Sequence, residues 1–85
     1  MKRLGKVKLG DKVMVEWVDS HEKHGWDVGP PETRLLVCRS LGWWVAETDD
    51  VIVVAPNVTM EERRQRCGEF TIPRCCIRKM RRLSV

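Results

Sequence analysis

The sequence has no apolar run long enough for a membrane-spanning helix and no apolar block near its first residues. The longest uncharged apolar run, Leu41 to Ala46, is far short of the ~20 residues that such a helix requires. The segment Met1-Lys2-Arg3 leads into Leu-Gly-Lys rather than into the apolar stretch of a signal peptide. These absences predict a cytoplasmic chain with no membrane partner.

Catalytic motifs are absent as well. The sequence has no Gly-rich phosphate loop, no paired-carboxylate pattern and no metalloprotease motif. A possible triad set, Asp19, Ser20, His21 and His24, falls within six consecutive residues, where neighbouring side chains diverge and a loop gives little preorganisation. Asp19 and Ser20 are better explained by turn chemistry at a strand end, although Asp19 also suits a ligand contact. We therefore expect a non-enzymatic protein without a cofactor.

The cysteines lack the close spacing of a metal site, since none form a Cys-x-x-Cys pair. A zinc site would have to combine His21 and His24 with Cys67 and Cys75. Reduced cysteines in a cytosolic chain are more often small apolar fillers, so we predict free thiols and no metal. Adjacent Cys75 and Cys76 are expected on opposite faces if their segment is extended.

Positive charge is concentrated near the end of the chain. Sixteen Lys and Arg against twelve Asp and Glu give a net charge of +4. Residues 1–62 hold eight basic and eleven acidic side chains, whereas residues 63–85 hold eight basic ones and only Glu69 as an acid. Seven of those eight are arginines, whose planar fork suits phosphate. The alternative is a solvated strand edge, where basic side chains block pairing between sheets.

Alternating and β-branched runs predict five short strands. Lys12–Val18 alternates, with Val13, Val15 and Trp17 on one face. The segments Asp19–Pro31 and Pro56–Gly68 are expected to be loops, the second mobile near residues 60–64, and a turn is expected at Arg74-Cys75. The predicted strands are Lys12–Val18, a strand in two halves (Arg34–Arg39 and Trp43–Glu47), Val51–Ala55, Glu69–Pro73 and Cys76–Leu83.

This pattern indicates one all-β domain over residues 1–85, a small five-stranded SH3-like or Sm-like barrel with one long loop. Gly42 is expected to supply a bulge or sharp bend in the middle strand. A core of this size stabilises a monomer only marginally. Trp43 and Trp44 are adjacent and cannot both enter it, so one must lie on a contact surface. We therefore expect a homo-oligomer.

A set of short motifs spread over residues 7–83 resembles uncharacterised short proteins encoded by bacteriophages and prophages. The resemblance implies a small β-barrel of viral origin, found in the host cytosol, and it implies no catalytic residue. It is carried by the order and spacing of Trp17-x-Asp19-Ser20, Gly25-Trp26, Ser40-x-Gly42-Trp43, Asp49-Asp50, Val54-Ala55-Pro56, Ile72-Pro73 and Ile77-Arg78-x-x-Arg81-Arg82-Leu83.

Binding is the favoured function, because an aromatic plane beside guanidinium groups holds a base by stacking and a phosphate by charge-assisted hydrogen bonds. The first hypothesis is capture of an anionic, phosphate-bearing ligand such as a signalling nucleotide; with a phage origin this would be an anti-defence role. The alternatives are a nucleic-acid-binding barrel and an adaptor that inhibits a host enzyme. The candidate ligand-binding residues are Asp19, His24, Trp26, Trp44, Arg78, Arg81 and Arg82.

Overall fold

The computed structural model describes residues 7–20 and 24–84. Within these ranges the chain is all-β, with seven strands, one 3-10 helix and no α-helix. The elements are β1 (Lys12–Asp19), β2 (Leu36–Glu47), β3 (Val51–Ala55), β4 (Asn57–Val58), β5 (Arg66–Cys67), β6 (Phe70–Pro73), the 3-10 helix Arg74–Cys76, and β7 (Ile77–Arg82).

Five strands form one antiparallel sheet in the order β6-β3-β2-β1-β7, and β4 pairs with β5 in a separate two-stranded sheet. The predicted all-β class and the five-stranded sheet are confirmed. Strands β6 and β7 are the two edges of the large sheet, and no pairing between them closes a barrel in the described part of the chain.

The middle of the sheet is a single long strand, not the two halves that the sequence predicted. The first part of β2 pairs with β1, from Leu36 opposite Asp19 to Trp43 opposite Lys12. The second part pairs with β3, and its register shifts between Trp44 and Ala46. The irregularity therefore follows Trp44, so the expectation of a bulge at Gly42 was wrong in position.

Gly42 is required by a close approach of two strands. A Cβ atom on Gly42 would lie 2.6 Å from the carbonyl oxygen of Ala55 and 2.8 Å from Cγ1 of Val54. Real Cβ atoms do not approach backbone this closely, so any larger residue would push β2 away from β3. The missing side chain thus allows β2 to lie this close to β3.

The core lies on the face of the sheet that Val13 and Val15 define, as the alternation predicted. Trp44 belongs to this core with 5% exposure, whereas Trp43 is half-buried. Trp17 is also only half-buried; its indole Nε1 donates to Ser40 Oγ at 3.1 Å. The buried cluster consists of Val13, Val15, Trp44, Ile52, Val54, Ile72, Ile77 and Met80.

Candidate anion-binding groove

A cavity of about 300 Å³ opens beside the second half of β2, where the two adjacent tryptophans lie. The turn before β1, strand β4 and the segment leading into β5 supply its other walls. Arg64 and Arg66 therefore line one space together with Trp43 and Trp44. The lining residues are Leu9, Gly10, Trp43, Trp44, Val45, Val58, Arg64 and Arg66.

The two arginines reach this cavity because the chain folds back between β4 and β5. Val58 pairs with Arg66 across the small hairpin. The Thr59 N–H donates to the Gln65 carbonyl at 2.9 Å, and the Gln65 N–H donates to Thr59 Oγ1 at 2.8 Å. These hydrogen bonds hold the base of the loop that carries Arg64. The sequence had predicted this segment as a loop; part of it is instead an ordered hairpin beside the tryptophans.

The turn before β1 forms the opposite wall and is fixed to β2 by its backbone. The Gly10 N–H donates to the Trp44 carbonyl at 2.7 Å, and the Trp44 N–H donates to the Asp11 carbonyl at 2.9 Å. The Asp11 carboxylate accepts a further hydrogen bond from the Lys8 N–H at 2.9 Å. Gly10 has a φ of +98°, a conformation that glycine adopts without steric cost. Backbone hydrogen bonds therefore fix this wall to β2.

The two tryptophans contribute differently to the site. Trp44 is part of the core, so its side of the cavity is a fixed surface. Its Nε1 is buried and has no hydrogen-bond partner among the described residues, an arrangement that costs about 1–3 kcal/mol. Trp43 is half-buried and lines two cavities. Its indole is thus the aromatic surface that remains accessible to a ligand.

The charges at the cavity favour an anion. Arg66 Nε lies 2.6 Å from Glu69 Oε1, and both side chains are about half exposed, so the pair is weak and competes with solvent. Arg64 is exposed and has no ion pair within residues 7–20 and 24–84. Within the described residues, Arg64 therefore has no carboxylate partner, and Arg66 is only loosely held by one.

Two smaller cavities adjoin the first and share its walls. One, of about 240 Å³, shares Gly10 and Trp43 and adds Lys12 and Arg82. The other, of about 170 Å³, shares Val58 and Arg66 on the opposite side. We call the three together the Trp43 groove. Its charged and aromatic lining residues are Asp11, Lys12, Trp43, Trp44, Arg64, Arg66 and Arg82, and Glu69 is paired with Arg66 beside it.

Two of the residues predicted from the sequence lie at this groove. Trp44 forms part of the central cavity. Arg82 lines the adjoining cavity, where its Nε is 3.9 Å from Asp11 Oδ2. At that distance the pair is loose, and the Arg82 side chain stays 67% exposed.

The structure does not bring the predicted loop residues together with these arginines. Arg82 pairs with Val13, whereas the long loop leaves β1 at Asp19, six residues and about 20 Å further along the strand. Trp26 is fully exposed, and the cavity beside it contains Asp27 and Glu32 rather than any basic residue. His24 is likewise exposed on this loop. His21, considered with His24 as a metal or catalytic group, lies outside the described residues.

Asp19 has the turn role that its position predicted. It is the last residue of β1, and its Oδ1 accepts a hydrogen bond from the Ser20 N–H at 2.8 Å. This contact satisfies a backbone donor where the strand ends. The carboxylate is therefore occupied locally and lies at the loop end of β1, away from Arg82.

Arg78 and Arg81 lie on the face of the sheet opposite the core, where Arg78 approaches a buried carboxylate. Glu16 is 8% exposed, and its Oε1 accepts a hydrogen bond from Arg39 Nε at 3.0 Å, with Arg78 Nε 3.9 Å from Oε2. The Arg39 hydrogen bond lowers the pKa of Glu16, and nearby Lys79 and Arg78 lower it further, while burial opposes them. Arg81 is opposite Met14 on this same face. Arg78 therefore compensates an internal charge, and neither arginine lines the Trp43 groove.

Sequence reasoning missed Trp43, Arg64 and Arg66 as site residues. The two arginines were counted in the basic cluster, but their loop was expected to be mobile. The available signal was the polar Thr59 and Gln65 pair flanking the loop, followed by Gly68, whose φ of +80° turns the chain toward β6. Without the fold, nothing in the spacing places this hairpin beside β2.

Comparison with known proteins identifies no relative: no family model, no curated protein and no solved structure matches this chain. Among residues 7–20 and 24–84, no helix is long and apolar enough to cross a membrane. The same residues contain no cluster of three or more His, Cys, Asp or Glu side chains placed to hold a metal ion.

Proposed function

We propose that this chain is a non-catalytic binding protein that captures a phosphate-bearing anion in the Trp43 groove. The observation that carries the proposal is the central cavity, which Arg64 and Arg66 line together with Trp43 and Trp44. Arg64 lacks an internal ion pair in the described chain, so binding an external anion does not require breaking one.

The chemistry of these side chains favours a nucleotide-like ligand over a simple anion. A guanidinium fork donates two parallel hydrogen bonds to phosphate oxygens. An indole face stacks on a nucleobase, and such stacking contributes about 1–3 kcal/mol per base. The cavity volume of about 300 Å³ is at the lower end of the range for small-molecule sites, roughly 300–1,000 Å³. A mononucleotide therefore matches both the chemistry and the size.

The fold we propose is an open relative of the SH3-like and Sm-like barrels. Its support is the strand order β6-β3-β2-β1-β7, in which β1, β2, β3 and β6 form a meander and the last strand returns to pair with β1. The 3-10 helix Arg74–Cys76 connects β6 to β7. The phage origin, the anti-defence role, the homo-oligomer and the host-enzyme adaptor remain predictions.

A single-stranded nucleic acid is the second candidate, favoured by the way the three cavities adjoin. Lys12 and Arg82 continue the positive charge beyond Trp43, on the side away from Arg66. A strand stacked on Trp43 would bring neighbouring phosphates to both ends of the groove. Salt separates the two candidates, because the affinity of a polynucleotide falls by orders of magnitude between about 50 and 200 mM salt when many phosphates are bound.

The test is titration with ATP, and separately with a short oligothymidylate, followed by tryptophan fluorescence and calorimetry. We expect ATP to bind one site per chain and Arg64→Ala to weaken it roughly ten- to a hundred-fold, the effect of losing a charged hydrogen bond of about 1.5–3 kcal/mol. Arg63→Ala is the matched control, since Arg63 adjoins Arg64 in sequence but does not line the groove.

Equal losses in the Arg63→Ala and Arg64→Ala variants would show that only diffuse charge matters and would refute the site. Tighter, strongly salt-dependent binding of the oligonucleotide would assign the groove to nucleic acid instead. If neither probe binds, the proposed function is wrong.

A further inference from the structure

The adjacent cysteines after β6 have their sulfur atoms side by side. Cys75 Sγ and Cys76 Sγ are 3.9 Å apart, within hydrogen-bonding range for thiols. Sequence alternation had predicted opposite faces for an extended segment, but both residues lie in the 3-10 helix Arg74–Cys76. Three residues per turn separate adjacent side chains by only about 120°, so the two thiols turn toward each other.

Both thiols are free, and at least one is open to reagents. Cys75 is exposed and Cys76 is half-buried, and neither takes part in a disulfide. The 3-10 helix is anchored by Arg74 rather than by the cysteines. Arg74 Nε donates to the Thr48 carbonyl at 2.8 Å, and the Arg74 N–H donates to the Asp50 carbonyl at 2.8 Å. The pair is therefore presented on an anchored turn.

A direct disulfide between Cys75 and Cys76 would be strained. Adjacent Cα atoms across a trans peptide are about 3.8 Å apart, below the range of roughly 4.4–6.8 Å that unstrained disulfides occupy. A third atom that bridges the sulfurs removes this constraint. With bonds to sulfur of about 2.3 Å, two sulfurs on one central atom lie roughly 3–4 Å apart, which matches the observed separation without rebuilding the turn.

The pKa of Cys76 and the number of other ligands nearby restrict which atom can bridge the two sulfurs. The pKa of Cys76 is raised by the Cys75 hydrogen bond, by burial and by the nearby charges of Cys75 and Asp19, so a complex that keeps negatively charged thiolates is disfavoured. No third cysteine, histidine or carboxylate joins the pair to complete a metal site in the described chain. Zinc binds four ligands in its structural sites and three protein ligands in its catalytic ones. A centre that needs just two sulfurs and leaves a neutral product meets both conditions.

We propose that Cys75 and Cys76 form a two-thiol binding site for trivalent organoarsenic compounds. With phenylarsine oxide, each thiol sulfur forms a bond to arsenic, both thiol protons leave with the arsenic-bound oxygen as one molecule of water, and arsenic remains trivalent. No oxidant is consumed. The site is separate from the Trp43 groove and does not depend on the proposed function.

The experiment adds phenylarsine oxide to the reduced protein in excess glutathione and follows the intact mass. We expect one phenylarsenic group per chain, stable to the monothiol and removed by a dithiol such as 2,3-dimercaptopropanol. Because two-point attachment strengthens binding by roughly 10²–10⁴-fold, Cys75→Ser and Cys76→Ser should each lose the adduct in glutathione. Cys67→Ser and Cys38→Ser are matched controls that should retain it, and circular dichroism verifies that each variant is folded.

An adduct that survives in Cys75→Ser or Cys76→Ser would place the site elsewhere and overturn the proposal. Loss of the adduct in folded Cys67→Ser or Cys38→Ser would do the same, because it would show that a distant thiol supplies one of the bonds. Failure of the wild-type chain to retain arsenic in glutathione would show that the two sulfurs do not act together.

Discussion

Replacing Gly42 by alanine tests the close approach of β2 and β3 on which the groove depends. The new Cβ would lie 2.6 Å from the Ala55 carbonyl oxygen, 2.8 Å from its carbon and 2.8 Å from Val54 Cγ1. Two of these atoms belong to the backbone of a buried strand, and backbone atoms cannot move aside by changing rotamer as a side chain can. The substitution must therefore separate the strands or distort them.

The expected loss of stability follows from two opposing effects. Overpacking a close-packed core costs about 1–3 kcal/mol, and contact with backbone places this case near the upper end. Alanine recovers about 0.4–1 kcal/mol, because it restricts the unfolded chain more than glycine does. The net change is about 2 kcal/mol, a large part of the roughly 4–13 kcal/mol expected for a domain of this length. The melting temperature should fall by roughly 8–16 °C.

Urea unfolding followed by circular dichroism measures the change, and calorimetry gives the melting temperature. Gly29→Ala is the matched control, because a Cβ there meets only the exposed Asp27 side chain, at 3.2 Å. Its stability should stay within about 0.5 kcal/mol of the wild type. If Gly42→Ala unfolds at the same urea concentration as Gly29→Ala, the close approach is not a constraint and our explanation of the glycine is wrong.

Three further predictions concern the tryptophans, the loop and the buried carboxylate. Trp44→Ala should lower the free energy of unfolding by about 3–5 kcal/mol, as for other large core truncations. Trp43 is half-buried, so Trp43→Ala should lower it less but should weaken ATP binding. Urea unfolding and ATP titration compare the two variants. Trp26→Ala and Arg78→Ala, expected from the sequence to weaken binding, should leave the ATP affinity unchanged. A loss in Trp26→Ala would return the site to the long loop, and a loss in Arg78→Ala would move it to β7 beside Glu16. Because the folded-state pKa of Glu16 is below its usual value of 4.5, its ionised form stabilises the fold above that pH, and this contribution should disappear as the pH falls through the lowered pKa. Urea unfolding between pH 7 and pH 3 should show a smaller loss for Glu16→Gln than for the wild type, and identical slopes would contradict the assignment.

Strands that alternate or contain β-branched residues were predictable from sequence. Val51–Ala55 coincides with β3, and Lys12–Val18 falls one residue short of the end of β1. These segments have one or both faces buried, so their burial appears in the sequence as alternating or continuous apolar residues. The short β4 and β5 lack such a pattern, because each has two residues and is mostly exposed.

The composition of the proposed groove was easier to predict from sequence than its location. Guanidinium groups beside an indole are present, and one of the two adjacent tryptophans is buried as expected. Which arginines meet which indole depends on tertiary pairing: Arg66 reaches the groove through its partner Val58, and Arg78 lies beside Glu16 instead. Neither contact can be read from local sequence spacing. Arg78 and Glu16 are far apart in the chain, and Val58 and Arg66 are brought together only when the loop between them folds back.

On the proposed function, the dual position of Trp44, in the core and in the wall of the cavity, would limit how this protein changes its ligand preference in evolution. A substitution there would alter both recognition and folding stability, so most variants would be lost before a new specificity arose. Substitutions in the exposed loop that carries Arg64 would not affect the core in this way. New preferences should therefore accumulate in that loop, while the aromatic wall stays as it is.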